Sequence, residues 1–328
     1  MLHVTSRHGL IAVIFAMFVL SFTGVRAQDF PTKPVRIITP FPVGSGPEGV
    51  LRLVADKLSR TWGKPVVVEN KPGGNGFIAI DAFKRGATDG HDLIQLDSVH
   101  LSAYPHLFKK LPYDPKLDLD PLVPIFKTYF FVTVAANSPY KSVADIIADA
   151  KAHPGQLNYG SWSVGNPVHL GSALFESVTG THMQHVVYKE TTMLYSGVAN
   201  GELSFALGTN ATAGPMYRAG KVRYLAVAAP RRVTGFADVP TIRESGGPAG
   251  FEVSGSTIIA APRGLPASVT DKIQRDIEKA LAEPDVREKF VSFAYEPFTL
   301  SREQLNAYIQ AESVRYGSII KKTQISLD

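Results

Sequence analysis

Short apolar runs alternate with amphipathic stretches from residue 35 to residue 136, and again from 142 to 229. VRIITPF (35–41), VVVEN (66–70), DLIQLD (92–97) and TYFFVTVAA (128–136) are too short for buried helices and rich in strand-forming residues. Amphipathic segments at 48–61 and 77–86 separate the first three. That order predicts parallel strands joined by helical crossovers. In the second set Ser142 opens a helix with Val143, Ile146 and Ile147 inside. LNYGS (157–161), HVVYK (185–189), LSFALG (203–208) and RYLAVAA (223–229) read as strands, with helices at 167–178, 191–200 and 212–219. After FEVSGSTIIAAP (251–262) the pattern turns helical. Val269, Ile273, Ile277 and Leu281 form one stripe, and Ser301 with Gln304 forms a capping box for the last helix. The stretches 111–121 and 240–250 read as ordinary loops. Two such sets in one chain exceed what a single core usually organises, so two domains are expected.

The first turn carries a second signal. Gly44, Gly46 and Gly49 in PFPVGSGPEGV (40–50) fit G-x-G-x-x-G between a strand and a helix, and Glu69 follows twenty residues on. That is the dinucleotide-binding fingerprint. The same physics also serves a simpler anion. A Gly-rich turn lets N–H groups converge, and the helix start adds free donors and partial positive charge. A pyrophosphate or a carboxylate could be held there, and the turn alone does not choose.

Residues 1–27 argue against a nucleotide. Arg7 precedes an apolar run, GLIAVIFAMFVLSF (9–22), and V-R-A ends at Ala27. This reads as a secretory signal cleaved after Ala27, which would export the mature chain. A protein exported unfolded carries no cytoplasmic cofactor with it. There is no cysteine, which excludes thiol nucleophiles and thiolate-bound zinc. Lys and Arg (34) exceed Asp and Glu (29) only slightly, and two of the arginines lie in the leader. No basic cluster suggests nucleic acid. His182 and His185 form H-x-x-H without a nearby acid motif, which is poor support for a metal site.

An ordered set of stretches identifies a family resemblance. PTKPVRIITPFPVG (31–44), VVVENKPGGNG (66–76), KKLPYDP (109–115), PGQLNYGS (154–161) and VVYK (186–189) are followed by AGKVRYLAVAAPRR (219–232), DVPTIRESG (238–246), APRGLP (261–266) and ALAEPDVREKF (280–290). The chain resembles the substrate-binding proteins of the tripartite tricarboxylate transporter family, called Bug receptors in some bacteria. The resemblance implies an α/β, type II periplasmic-binding-protein fold, with two α/β lobes and a ligand cleft between them. Lobe 1 would be 28–128 and 253–328, and lobe 2 would be 129–252. It implies a small carboxylate ligand, a membrane permease of the tripartite tricarboxylate type as partner, no catalysis and no cofactor. A monomer is the default for such a receptor. Two other readings stand beside it: an exported hydrolase or oxidoreductase on a similar framework, and a ligand-reading partner of a sensor kinase.

Candidate ligand contacts follow from turns that enter helices. In lobe 1 these are Val43, Gly44, Ser45 and Gly46 in the first turn, with Glu48, Phe77, Ser98 and His100. Family members commonly read G-G-G-T-D where this chain has Gly44-Ser45-Gly46-Pro47-Glu48. Glu48 either caps the helix outward or faces the cleft, where it would repel a carboxylate. Phe77 is either a contact or a packing residue. In lobe 2, Ser161, Trp162, Ser163 and Asn166 precede a helix opened by Pro167. Thr191 starts another helix, and Thr209 and Asn210 follow a strand. Relatives often carry Asp-Asn at 208–209, so Gly208 and Thr209 weaken that correspondence. Pro47, Phe77, Thr209 and the run Tyr129-Phe130-Phe131 hint at a less polar, aromatic acid.

Overall fold

The computed structural model describes residues 30–327. The leader and cleavage site expected from the sequence lie outside that range. Among the described residues no helix is long and apolar enough to cross a membrane.

The first Gly-rich turn joins β1 (Val35–Thr39) to α1 (Gly46–Trp62), which leads to β2 (Val66–Asn70). A short turn and α2 (Phe77–Lys84) return the chain to β3 (Asp92–Asp97), and two short helices follow, α3 (Val99–Ser102) and α4 (Tyr104–Leu107). β1 pairs in parallel with both β2 and β3. α1 carries the chain to one side of β1 and α2 brings it back to the other. The β1–β3 boundary is therefore a topological switch point, where α/β sheets place ligands beyond the carboxyl ends of the strands.

The sheet is completed by β4 (Leu119–Tyr129), β10 (Ser254–Pro262) and β11 (Tyr295–Pro297), in the order β11-β4-β10-β3-β1-β2. β4 corrects the loop assignment for 111–121. Pro121 and Pro124 mask a strand in the sequence because proline cannot donate to a ladder. The pairing with β10 slips beside both prolines, leaving Leu122 and Ile125 without cross-strand partners. Both side chains are buried in the core instead. The run 128–136 is likewise two strands. β4 ends at Tyr129, and β5 (Phe131–Ala135) begins in a different sheet.

That second sheet has the order β7-β6-β8-β5-β9, with β6 (Asn158–Ser161), β7 (Gln184–Val187), β8 (Phe205–Gly208) and β9 (Val222–Val227). Its helices are α5 (Val143–Ala152), α6 (Pro167–Thr179), α7 (Thr191–Ala199) and α8 (Asn210–Arg218). β6 pairs in parallel with β7 and β8, which repeats the switch-point arrangement. α9 (Ala267–Ala282), α10 (Pro284–Phe293) and α11 (Arg302–Thr323) end the chain. The Ser301–Gln304 capping box is present at the start of α11.

Each sheet is covered on both faces. Val50, Leu51, Val54 and Leu58 of α1 join Ile273 and Ile277 of α9 over Ile37, Leu93 and Ile259. Ile80 and Phe83 of α2, with Leu305 of α11, cover Ile38, Ile94 and Ile258 on the other face. In the second sheet α5 and α6 cover Val132 and Val134, while α7 and α8 cover Phe131 and Ala206. The chain crosses between sheets at Phe130 and again at 228–253. Phe130 N–H donates to Val253 O, Ala228 N–H to Phe130 O, and Val253 N–H to Ala228 O, so the two crossings are bonded to each other.

Candidate functional site

Local chemistry sets the first turn. Ser45 holds an extended N-cap conformation, but its side chain caps nothing. Its Oγ is buried with no hydrogen-bond partner. Pro47 has no N–H to offer, and the N–H groups of Gly46 and Glu48 have no acceptor among the described residues. The turn is anchored from below. Thr39 Oγ1 donates to Gln95 Oε1 at 2.8 Å, and Gln95 Nε2 donates to Pro47 O at 3.1 Å. Val43, by contrast, is largely exposed.

Glu48 takes neither of the two orientations considered for it. It is buried, with Oε2 accepting the Gly44 N–H at 3.1 Å and Oε1 accepting from Arg52. Arg52 also donates to Asn70 Oδ1 at 2.8 Å. The carboxylate thus folds back on its own turn and satisfies one of the donors the Gly-rich loop could have given a ligand. On β2, Glu69 pairs with Arg36 and Lys71, each at 2.8 Å.

Gly46 brings the two lobes together. A Cβ there would collide with the Tyr295 hydroxyl and stand 2.7 Å from Ala211 Cβ of α8. Only a residue without a side chain permits this approach. Asn210 ties the same place down. Its Nδ2 donates to Ser292 O of lobe 1 at 2.9 Å, and its Oδ1 accepts from Tyr224 at 3.1 Å. The N-terminal ends of α1 and α8 therefore meet at the junction.

The remaining lobe 1 candidates are committed to their surroundings. His100 places Nδ1 2.9 Å from Asp97 O and Nε2 3.1 Å from Asn75 O, bracing the 73–76 turn against the end of β3. Burial pushes its pKa down to about 4. Phe77 packs among Tyr104, Phe108 and Tyr113, with ring centroids 5.0–6.0 Å apart. Ser98 is buried, and its N–H donates to Ser256 O.

In lobe 2 two helix starts are closed by their own side chains. Asn166 Oδ1 accepts from Val168 N and His169 N, and Thr209 accepts from Thr212 N. Asn166 Nδ2 also donates to Ser163 O at 2.7 Å. The N-cap of α7, Glu190, makes no such bond, and Thr191 beside it is half-buried. Ser161 Oγ donates to Ser163 O at 2.9 Å and lies 2.7 Å from His185 Nε2. Its single proton is engaged with the carbonyl, so His185 donates to it. A serine nucleophile needs the opposite polarity, with imidazole as acceptor. His185 stacks on His169 at 4.0 Å, and His169 Nδ1 accepts the Gly165 N–H at 3.0 Å. Burial lowers both imidazole pKa values, His169 to about 3. Trp162 is half-buried between the two apolar clusters of lobe 2. No group of three or more His, Cys, Asp or Glu able to hold a metal occurs among the described residues.

A family model described as the tripartite tricarboxylate transporter family receptor matches residues 50–325. This chain belongs to that family. Its relatives include a UPF0065 protein from the gbd 5′ region of Cupriavidus necator, 30% identical over 95% of this chain and 94% of that protein. The solved structure of R. palustris Rpa4515 with adipate superposes with a TM-score of 0.83 at 28% identity, covering 90% of this chain and 99% of the other. MatC from Rhodopseudomonas palustris with bound malate gives 0.79 at 26% identity, covering 89% and 100%. The fold is thus that of the periplasmic binding proteins of this receptor type, whose members are solute-binding proteins.

Gln95, Asp97, Thr257 and Tyr295 lie around the first turn without belonging to any of the turns that the sequence singles out. Gln95 and Asp97 left a trace, as polar residues two apart in the otherwise apolar run LIQL followed by Asp97. Tyr295 left none, because it reaches the site from a three-residue strand two hundred residues further along.

Proposed function

We propose that this chain is a periplasmic receptor, exported by the leader at 1–27. It binds a small carboxylate between lobe 1 (28–128 and 253–328) and lobe 2 (129–252). It then hands the ligand to a membrane permease of the tripartite tricarboxylate type. It acts as a monomer and performs no chemistry on the ligand.

The observation that carries this reading is the open start of α1. Two N–H groups without acceptors and the unpartnered Ser45 Oγ lie at a switch point, beside the α8 start of the other lobe. A carboxylate there gains charge-assisted hydrogen bonds and the favourable end of the helix dipole. Ser45 and Gly46 are the direct contacts proposed on lobe 1. Ser163, Trp162 and Thr191 are the lobe 2 groups with freedom to meet the ligand. Asn166, Thr209 and Asn210 shape the cleft from behind. The adipate and malate held by the two structural relatives are ligands of this chemical class.

The test is thermal unfolding against aliphatic dicarboxylates, citrate, benzoate-type and phthalate-type acids, amino acids and NAD. A ligand at 100 times its dissociation constant adds about 2.7 kcal/mol, a shift of several degrees. A shift with an acid and none with NAD is the expected result. A shift with NAD alone would overturn the reading.

A further inference from the structure

Asp97 ends β3 at the same switch point, on the face of the strand that also carries Gln95. Gln95 touches the first turn of α1, so Asp97, two residues further out, lies beside that turn at the mouth of the sheet. Its Oδ1 accepts the Val99 N–H at 3.1 Å, and no Lys, Arg or His side chain pairs with it among the described residues. Thr257 is its cross-strand partner on β10, so the two side chains share a face. Thr257 is buried, and its Oγ1 has no partner. The Ser98 hydroxyl bonds to Asp97, and the phenols of Tyr104, Tyr295, Tyr308 and Tyr316 lie near enough to feel its charge. His100 presents both ring nitrogens to carbonyls. Asp97 still keeps part of its surface open while enclosed by protein. Enclosure pushes its carboxyl up to about 6.

A carboxylate largely enclosed by protein and without a counter-charge is costly, and proteins supply its partner from the chain or from a ligand. Here the chain supplies none. The proposed carboxylate position at α1 and the acceptor atoms at Asp97 and Thr257 lie side by side. Resting on the receptor reading above, we infer that the ligand carries a protonated amine as well as a carboxylate. The acid end meets the α1 turn, and the ammonium meets Asp97 and the Thr257 hydroxyl. The receptor is then selective for amino acids over the matching amine-free acids.

The test is titration calorimetry with matched pairs differing only in the amine: aspartate against succinate, glutamate against glutarate, phenylalanine against 3-phenylpropionate. The expected result is at least tenfold tighter binding of the amine-bearing member of whichever pair binds. Asp97→Asn should cut that ratio to about threefold or less while leaving the affinity for the amine-free acid unchanged or improved. Equal or tighter binding of the amine-free acid by the wild-type protein overturns the inference and leaves the receptor reading intact. Binding by no member of any pair overturns the inference, and the wider acid panel above then decides the receptor reading separately. Should Asp97→Asn fail to fold, the wild-type ratio decides alone, and Thr257→Val supplies the second variant, with the same direction and a smaller loss.

Discussion

The starts of α1 and α6 are built from similar sequence, Val-Gly and a polar N-cap residue leading into a helix with proline in its first turn, and they end differently. At α6 Asn166 covers the Val168 and His169 donors, and a chain of Ser161, Ser163, His185 and His169 fixes the loop around it. At α1 the N-cap serine reaches nothing, and the turn's acid doubles back to Gly44 and Arg52. One loop has finished its hydrogen bonding, and the other has donors to spare. A cleft between two lobes needs both kinds, a rigid wall to close against and an open end to close upon.

The largest expected effect comes from removing the approach between the two walls. Gly46→Ala places a methyl against the Tyr295 hydroxyl and Ala211. It should weaken ligand binding by about 100-fold, about 2.7 kcal/mol, by holding the lobes apart. Calorimetry would read the affinity and small-angle scattering the separation. Unchanged affinity would show that the observed approach of α1 and α8 is not the bound arrangement.

Acid should distinguish the two lobes next. His169 and His185 have folded pKa values below their ordinary range. The unfolded chain therefore binds more protons in that window, and stability present near pH 7 is lost as pH falls below about 6.5. His169, which stays neutral through this range, contributes a loss of about 1–2 kcal/mol between pH 7 and 5, and His185 acts in the same direction. In both lobes a carboxyl raised by burial opposes this loss, Glu176 against two imidazoles in lobe 2 and Asp97 against one in lobe 1. His100 also loses stability on acidification, but Asp97, raised to about 6, gains it as pH falls toward its unfolded value. Hydrogen exchange at pH 7 and pH 5 should show protection falling at 158–187 and changing less at 35–104. Equal loss in both lobes would contradict this balance.

The smallest effects sharpen the comparison most. Asn166→Ala and Thr209→Ala each remove a cap and should cost about 1 kcal/mol of stability with little change in ligand affinity. Ser45→Ala removes a hydroxyl that bonds to nothing in the ligand-free protein. It should leave the melting temperature within about a degree and weaken ligand binding severalfold. If Ser45→Ala were destabilising and Asn166→Ala weakened binding, the roles of the two loops would be reversed.

Much of this was legible in the sequence, for identifiable reasons. β2 and β3 match VVVEN and DLIQLD to the residue because both runs are bounded by polar and turn residues. α6 begins where Asn166 and Pro167 say it should. β4 was hidden by its prolines, and the break at Phe130 was hidden because the apolar run is continuous across it. At the site, the turn residues were readable from glycine spacing and helix-start chemistry. What those residues bond to was not. Whether Glu48 points outward, inward or back depends on Arg52 and Asn70, and whether Asn166 offers a donor or consumes two depends on backbone geometry. Tyr295 and Thr257 are brought to Asp97 only by sheet order.

The bonded pair of crossings at Phe130 and 228–253 behaves as a two-leaf flexure. Two thin leaves fastened along their length bend readily across their plane and resist shear and twist within it. Any relative travel of the lobes would thereby be restricted to near a single rotation. The Gly46 and Ala211 surfaces would then return to the same register whenever the halves came together, and recognition would not have to be searched for anew.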